Sequence, residues 1–251
     1  MKNSVLAVVT NYDFSDNAGA LKASLSPYFE TLLIDSSSPS PPKTADRVIP
    51  NLYYSGLWNE AVKLALDKEK HWLLFVASDI QIPDVNLLAN CIQTVLADNK
   101  IGVYTPSLRY DSRIAFDYCY NRGTRRVREC YLCEGFFFLA RTEILAKLYP
   151  VDTRDNYYGW GIDIMTAFHA YQAELKVVVD DQVEIYHPPS SHPISIEQAH
   201  QQSVKYLTTT KAISFLDRSK KRIEREKKLS RVGKRLINAI PWTRKEIGNI
   251  T

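Results

Sequence analysis

The run at residues 71–83, His-Trp-Leu-Leu-Phe-Val-Ala-Ser-Asp-Ile-Gln-Ile-Pro, constrains the fold most. Six consecutive apolar residues, from Trp72 to Ala77, lead directly into Ser78 and Asp79. An unbroken apolar run of this length reads as a strand buried on both faces, as inside a parallel sheet. A carboxylate at the end of such a strand sits where open α/β sheets bind ligands. Two readings of Asp79 stand at this point. It faces a ligand, or it caps the turn before a helix opened by Pro83 and Asp84.

The chain around this run alternates between strand and helix signals. Residues 5–10 (Val-Leu-Ala-Val-Val-Thr) form a first buried strand, followed by a polar loop at 11–17. A helix is expected over 18–28, with Leu21 and Leu25 one turn apart. Residues 30–35 read as a second strand ending in the carboxylate of Asp35. The Ser/Pro-rich stretch 36–42 is a loop by composition, and 47–50 is short and extended. Helices are expected at 51–67 and 83–99 on either side of the strand at 72–80, with a further strand at 101–104. This alternation predicts a parallel sheet, helices on both faces and right-handed crossovers.

After Pro106 the pattern breaks. Residues 108–128 hold Arg109, Arg113, Arg122, Arg125, Arg126 and Arg128 among several aromatics. Guanidinium groups suit phosphate oxygens, so this is either a phosphate-contacting loop or a solvated hairpin. A buried strand at 134–140 and a short helix at 141–148 follow, then a helix at 164–173. Two strand-like pieces, 177–180 and 183–187, end at His187, and 196–216 is mostly helical.

A chain of 251 residues allows one large α/β domain or two small ones. No apolar segment has signal-peptide or membrane-spanning character, so a cytoplasmic protein is expected. The four cysteines, Cys91, Cys119, Cys130 and Cys133, include one Cys-x-x-Cys pair but no second pair at zinc spacing, and read as reduced thiols. The net charge of +4 is unevenly placed: residues 218–235 hold ten Lys or Arg and two Glu, leaving residues 1–217 net acidic. We read 1–217 as the globular domain and 218–251 as a basic helical tail. An acidic body argues against a nucleic-acid partner. In the tail, Leu229, Val232, Leu236 and Ile240 share one face, with Trp242 just beyond. That pattern suits peripheral contact of 218–242 with anionic lipid on the inner face of the cytoplasmic membrane, or a solvated or partner-binding helix.

Four motifs stand in order along this plan: Asn51-x4-Gly56-x2-Asn59-Glu-Ala61, then Val76-Ala77-Ser78-Asp79-Ile80, then Gly135 leading an apolar strand, then Gly159-Trp160-Gly161-Ile162-Asp163. Together with the opening strand they resemble the GT-A fold glycosyltransferases, particularly the large inverting family of bacterial polysaccharide and lipopolysaccharide transferases. The resemblance covers about residues 5–187. It implies an α/β fold with a GT-A (Rossmann-like), mostly parallel central sheet flanked by helices. It implies a nucleotide-binding set of Thr10, Asn11, Tyr12, Asp35, Asn59, Ser78 and Asp79. Gly135, Trp160 and Gly161 fall on the acceptor and sugar side, and Asp163 matches the catalytic base of inverting members. The family's Asp-x-Asp site retains its second acid, Asp79, while Ala77 replaces the first. Asp79 and His187 are then the expected ligands of a divalent metal, Mn²⁺ or Mg²⁺, with metal independence the alternative. The implied partners are a nucleotide sugar, foremost a UDP-sugar, and a glycan or lipid-linked acceptor.

Such a transfer needs the leaving diphosphate neutralised and the acceptor hydroxyl deprotonated by a base within reach. Asp163 could instead be a helix cap, and His187 a strand-end histidine bonded to backbone. Loss of the first acid motivates a competing reading, a nucleotide-sugar-binding or scaffold protein without turnover. A nucleotidyltransferase is disfavoured, because residues 11–19 contain one Gly and no Lys or Arg.

Overall fold

The computed structural model describes residues 1–112, 116–188, 195–209 and 212–225. The chain divides into two compact units, 1–212 and 213–251. In the second, residues 213–225 are helical; the apolar stripe from Leu229 to Trp242 lies outside the described residues.

The first unit is built on one eight-stranded sheet. Its strands are β1 (Val5–Asn11), β2 (Glu30–Asp35), β3 (Arg47–Val48), β4 (Trp72–Ala77), β5 (Ile101–Leu108), β6 (Val127–Glu129), β7 (Phe137–Arg141) and β8 (Lys176–Ile185). Their order across the sheet is β3-β2-β1-β4-β7-β5-β8-β6. The helices are α1 (Ser15–Leu25), α2 (Tyr53–Asp67), α3 (Val85–Leu96), α4 (Thr142–Leu145), α5 (Ile162–Gln172) and α6 (Ile196–Thr209). The sheet is mostly parallel, as expected, with β7 and β6 running against their neighbours.

The apolar runs explain the centre. Every residue of β1 is buried, and Trp72 to Val76 of β4 are buried beside it. Phe75 of β4 stacks on Phe138 of β7, with centroids 5.4 Å apart and rings 8° from parallel. Burying one such side chain contributes about 2–3 kcal/mol. At the start of α3, the Asp84 side chain accepts a hydrogen bond from the Leu87 amide at 2.8 Å. The cap before α3 is therefore Asp84, which leaves Asp79 available for another task.

Two expectations need correction. The pieces at 177–180 and 183–187 are one strand, β8, ending at Ile185; an irregularity takes pairing from Pro106↔Asp180 to Ser107↔Glu184. That bulge, held by Asp180 accepting from the Gln182 amide at 2.9 Å, makes the sequence look like two strands. The arginine segment contributes a strand, β6, and Arg128 on it pairs with the fully buried Asp181 at 3.1 Å. Arg109 pairs with Asp111 and lies 3.6 Å above the Tyr186 ring, so two of these arginines are engaged by protein. Residues 196–216 are mostly helical, as expected: α6 ends at Thr209, Ala212 is not helical, and 213–216 are helical again.

Candidate active site

Parallel pairing sets the ends of the first strands side by side. Asn11 is opposite Asp35, and Thr10 is opposite Ala77, so Asn11, Asp35, Ser78 and Asp79 share one edge of the sheet. The antiparallel β7 begins at that same edge, because Phe137 pairs with Val76. This brings Gly135 there as well.

Asn11 donates to Asp35 Oδ2 at 2.7 Å and to Ser38 Oγ at 3.2 Å, while Asp35 accepts from the Ser38 amide and hydroxyl at 2.8 and 2.6 Å. Asn11 and Asp35 are both fully buried, so this network is closed among protein groups. Tyr12 beside it is 40% exposed. Thr10 Oγ1 donates to the Val76 carbonyl, and the buried Ser78 amide donates to Thr10 O. Asn17 of α1 donates to the carbonyls of Ser78 and Ile80, which fixes the turn carrying Asp79. Asn59 has a structural task. Its amide donates to Val151 O and accepts from Val151 N, both at 2.9 Å. These bonds clamp the loop after α4 to α2 and engage one of its two N–H donors and one of its two oxygen lone pairs.

Asp79 and His187 do meet. Gln81 and Tyr186 pair as a short antiparallel bridge with backbone bonds of 2.8 and 3.0 Å. This sets His187 Nε2 3.2 Å from Asp79 Oδ2, and the His187 ring stacks on Phe136 at 4.0 Å. Asp79 Oδ1 is buried and has no hydrogen-bond partner among the described residues. An orphaned carboxylate oxygen beside an imidazole nitrogen fits a hard divalent cation. No group of three or more His, Cys, Asp or Glu is placed to hold a metal among the described residues. The protein would therefore supply two donors, leaving the other positions to oxygens of a ligand.

Asp163 is the second residue of α5, behind Gly161 in a left-handed conformation (φ 95°). Burial pushes its carboxyl up to about 6, against backbone N–H groups of Ile164, Asp163 and Gly161 that pull it down. The Ile164 amide bond is 2.8 Å long, so the capping role is real and coexists with a raised pKa. A half-buried carboxyl titrating near 6 is suited to accept a proton at neutral pH.

The surroundings of Asp163 are aromatic. The Tyr54 hydroxyl donates to Gly135 O at 2.6 Å. A Cβ at Gly159 would lie 2.0 Å from the Tyr54 ring, and one at Gly135 would lie 2.9 Å from its hydroxyl. A Cβ at Gly161 would meet Leu207 and Ser203 of α6 at 3.2–3.3 Å. The glycines expected to admit a sugar thus admit Tyr54 and α6; Gly161 is buried and offers a ligand no side-chain surface. Trp160 is half-buried, and its carbonyl accepts from Asn156 at 3.1 Å. Asp163 is close enough to Tyr54, Tyr118, Tyr206 and Cys133 to raise each of their pKa values, after burial as the main cause. The Tyr118 hydroxyl is buried without a partner among the described residues. The sequence reading missed these tyrosines; fifteen Tyr, including the doublets 53–54 and 157–158, were the available signal. All four cysteines are buried free thiols. A cavity of about 480 Å³ beside Asn121, Gly123, Arg125, Asp181 and Gln182 contains none of the expected site residues.

No protein-family model and no curated protein matches the sequence. The fold does match solved structures. It is similar to GalNAc-T7 with UDP, GalNAc and Mn2+, with a TM-score of 0.59 and 11% identity over 82% of this chain and 48% of that one. The chain thus spans about half the length of that protein. It is similar to S. aureus TarS 1-349 in complex with UDP-GlcNAc, with a TM-score of 0.55, 17% identity, and 79% and 64% coverage. It is also similar to the mannosyltransferase PcManGT from Pyrobaculum calidifontis in complex with GDP-Man and Mn2+, with a TM-score of 0.53, 15% identity, and 96% and 82% coverage. The fold is that of the GT-A glycosyltransferases.

Proposed function

We propose that the protein transfers a sugar from a nucleotide-sugar donor to a glycan or lipid-linked acceptor, with inversion. The observation that carries this reading is the pairing of Asp79 and His187 at the sheet edge, with Asp79 Oδ1 buried and unpartnered. The nucleotide sugars and Mn2+ held by the similar structures support it. Asp79 and His187 would hold a divalent cation, which when bound offsets the negative charge of a departing diphosphate. Asp163 takes the proton of the acceptor hydroxyl, since its carboxyl is raised to about 6 and is ionised above that pH. Tyr54 keeps Asp163 in place by linking α2 to Gly135 and packing on Gly159. Tyr12 faces the donor end, with Thr10, Asn11, Asp35 and Ser78 buried behind it as its support; a UDP-sugar is the foremost donor, and no nucleic acid is a partner. A cytoplasmic location, with residues 218–242 touching a membrane surface, completes the proposal. No helix among the described residues is long and apolar enough to cross a membrane.

The test is thermal unfolding with UDP, GDP, CMP and TDP, each with Mn²⁺, Mg²⁺ or chelator. A ligand at about a hundred times its dissociation constant stabilises by about 2.7 kcal/mol. A metal-dependent shift lost in Asp79→Ala supports the reading, and absence of any shift defeats it. Ala77, which removes one family acid, favours a second reading as a binder without turnover. That reading predicts the same shift with no transfer to any acceptor or to water.

A further inference from the structure

We propose that Tyr53, Tyr157 and Tyr158 form a platform for a neutral saccharide, extending the acceptor side of the site away from Asp163. This rests on the transferase reading above and names the acceptor's chemistry.

The three rings form one cluster. Tyr53 and Tyr157 have centroids 5.0 Å apart, Tyr53 and Tyr158 5.9 Å, and Tyr157 and Tyr158 4.3 Å. Tyr53 is 50% exposed, and Leu52 before it is 44% exposed. Tyr53 also has φ 54°, a left-handed conformation that an aromatic L-residue rarely adopts. Strained backbone of this kind persists where the surroundings over-determine it, and it concentrates at binding sites. Here the surroundings do so. Asn51 Oδ1 accepts from the Tyr53 amide at 3.0 Å, the Ser55 amide donates to Tyr157 O at 3.2 Å, and Ser55 Oγ donates to Asn156 O. Both halves of the cluster are therefore pinned before any ligand arrives.

The cluster is continuous with the candidate active site. Tyr54, the next residue, packs on Gly159 and reaches Gly135 O, and a Cβ at Gly135 would lie 3.9 Å from Asp163 Cβ. One side chain thus separates the platform from the carboxylate. Phenol rings present a flat apolar face with a polar rim, which complements the C–H face and hydroxyl edge of a pyranose. Nearby charges are balanced: Asp155 pairs with Lys205 at 2.7 Å and Asp152 with Arg154 at 2.6 Å. A balanced surface selects an uncharged glycan over an acidic one. A sugar one or more units back from the accepting residue would rest on the rings.

The experiment uses the full chain carrying Asp163→Asn, so that binding is read without turnover. Retention is measured on immobilised di- to hexasaccharides of glucose, galactose, mannose, rhamnose, N-acetylglucosamine and N-acetylgalactosamine, with sialylated and uronic-acid glycans beside them. Neutral glycans are expected to be retained and to lose at least tenfold in apparent affinity with Tyr53→Gly. That variant relieves the left-handed strain while giving up the ring contacts, and its own thermal transition, read in the same runs, shows that it is folded. Tyr53→Phe keeps the ring and is expected to keep binding. No retention of any neutral glycan, or equal retention by Tyr53→Gly, overturns the platform. The nucleotide-dependent thermal shift is run on the same samples. A shift without Tyr53-dependent retention defeats the platform alone, whereas absence of the shift defeats the transferase reading.

Discussion

The two halves of the sheet are held together in different ways. In the half formed by β3, β2, β1 and β4, the edge groups satisfy one another over short sequence distances: Asn11, Asp35 and Ser38 close a buried network within 27 residues. The contacts that tie this half to the later elements, from β5 to β8, are long. Tyr54 reaches Gly135 across 81 residues, Asn59 reaches Val151 across 92, and Asp79 reaches His187 across 108. The unsatisfied groups sit with these long contacts. Asp79 Oδ1 and the Tyr118 hydroxyl have no partner among the described residues, and Asp163 is held away from its ordinary pKa. The Asn11–Asp35–Ser38 edge is a closed scaffold, whereas the groups around Asp79 and Asp163 are held at a cost that a ligand or a reaction would offset.

The sharpest way to test this contrast is Asp163→Asn. Transfer should fall by about 10²–10⁴-fold, the usual contribution of a general base, while the nucleotide-dependent thermal shift persists. Near-normal transfer would remove Asp163 from the chemistry. Next in size is Arg128→Ala, which removes the cation from the fully buried Asp181 and leaves it the Thr124 hydroxyl at 2.7 Å. Urea unfolding should show a loss of about 3–5 kcal/mol; a loss under one would mean that the second half does not depend on its long-range charge pair.

The third effect is a pH dependence. Burial raises the folded-state pKa of Asp163 to about 6, above the usual 3.8. The folded chain therefore binds this proton more tightly than the unfolded chain. The stabilisation is fully present below about pH 4 and is lost as pH rises through about 6. Asp163→Asn should accordingly be more stable than wild type at pH 8, by about 3 kcal/mol at most, and the advantage should vanish below about pH 4. Transfer by the wild type should climb as pH passes about 6 and then level off, and a flat rate across that range would contradict ionisation of Asp163. The smallest effect is expected from Asn59→Ala, about 1–3 kcal/mol of stability from two broken backbone bonds, read by urea unfolding. Its nucleotide shift should be unchanged; a lost shift would return Asn59 to the donor end.

The contrast also explains what the sequence made legible. The parallel half could be read because each apolar strand and its crossover helix are local signals: residues 5–10 and 72–77 carry nothing but burial and direction. The pairing of Asp79 with His187 could be anticipated only through the family resemblance, because no spacing rule links residues that far apart. The clamp of Asn59 on the Val151 backbone could not be read, because a motif position says nothing of what lies opposite. The glycines at 135, 159 and 161 stand out as motif positions in the sequence, but that Tyr54 and α6 side chains crowd them is visible only in the structure. The tyrosines gave no periodic signal, so their gathering around Asp163 emerges only from tertiary packing.

The Gln81–Tyr186 bridge has a consequence for the order in which the protein acquires competence. During synthesis Asp79 emerges well before His187, and the bridge that joins them waits for the last strand of the sheet. A nascent chain stopped short of β8 can assemble the Asn11–Asp35–Ser38 network yet has no Asp79–His187 pair. Any capture of a cation by that pair would therefore wait until β8 has been made, and a product truncated before it, however well its early strands pair, would be barred from it.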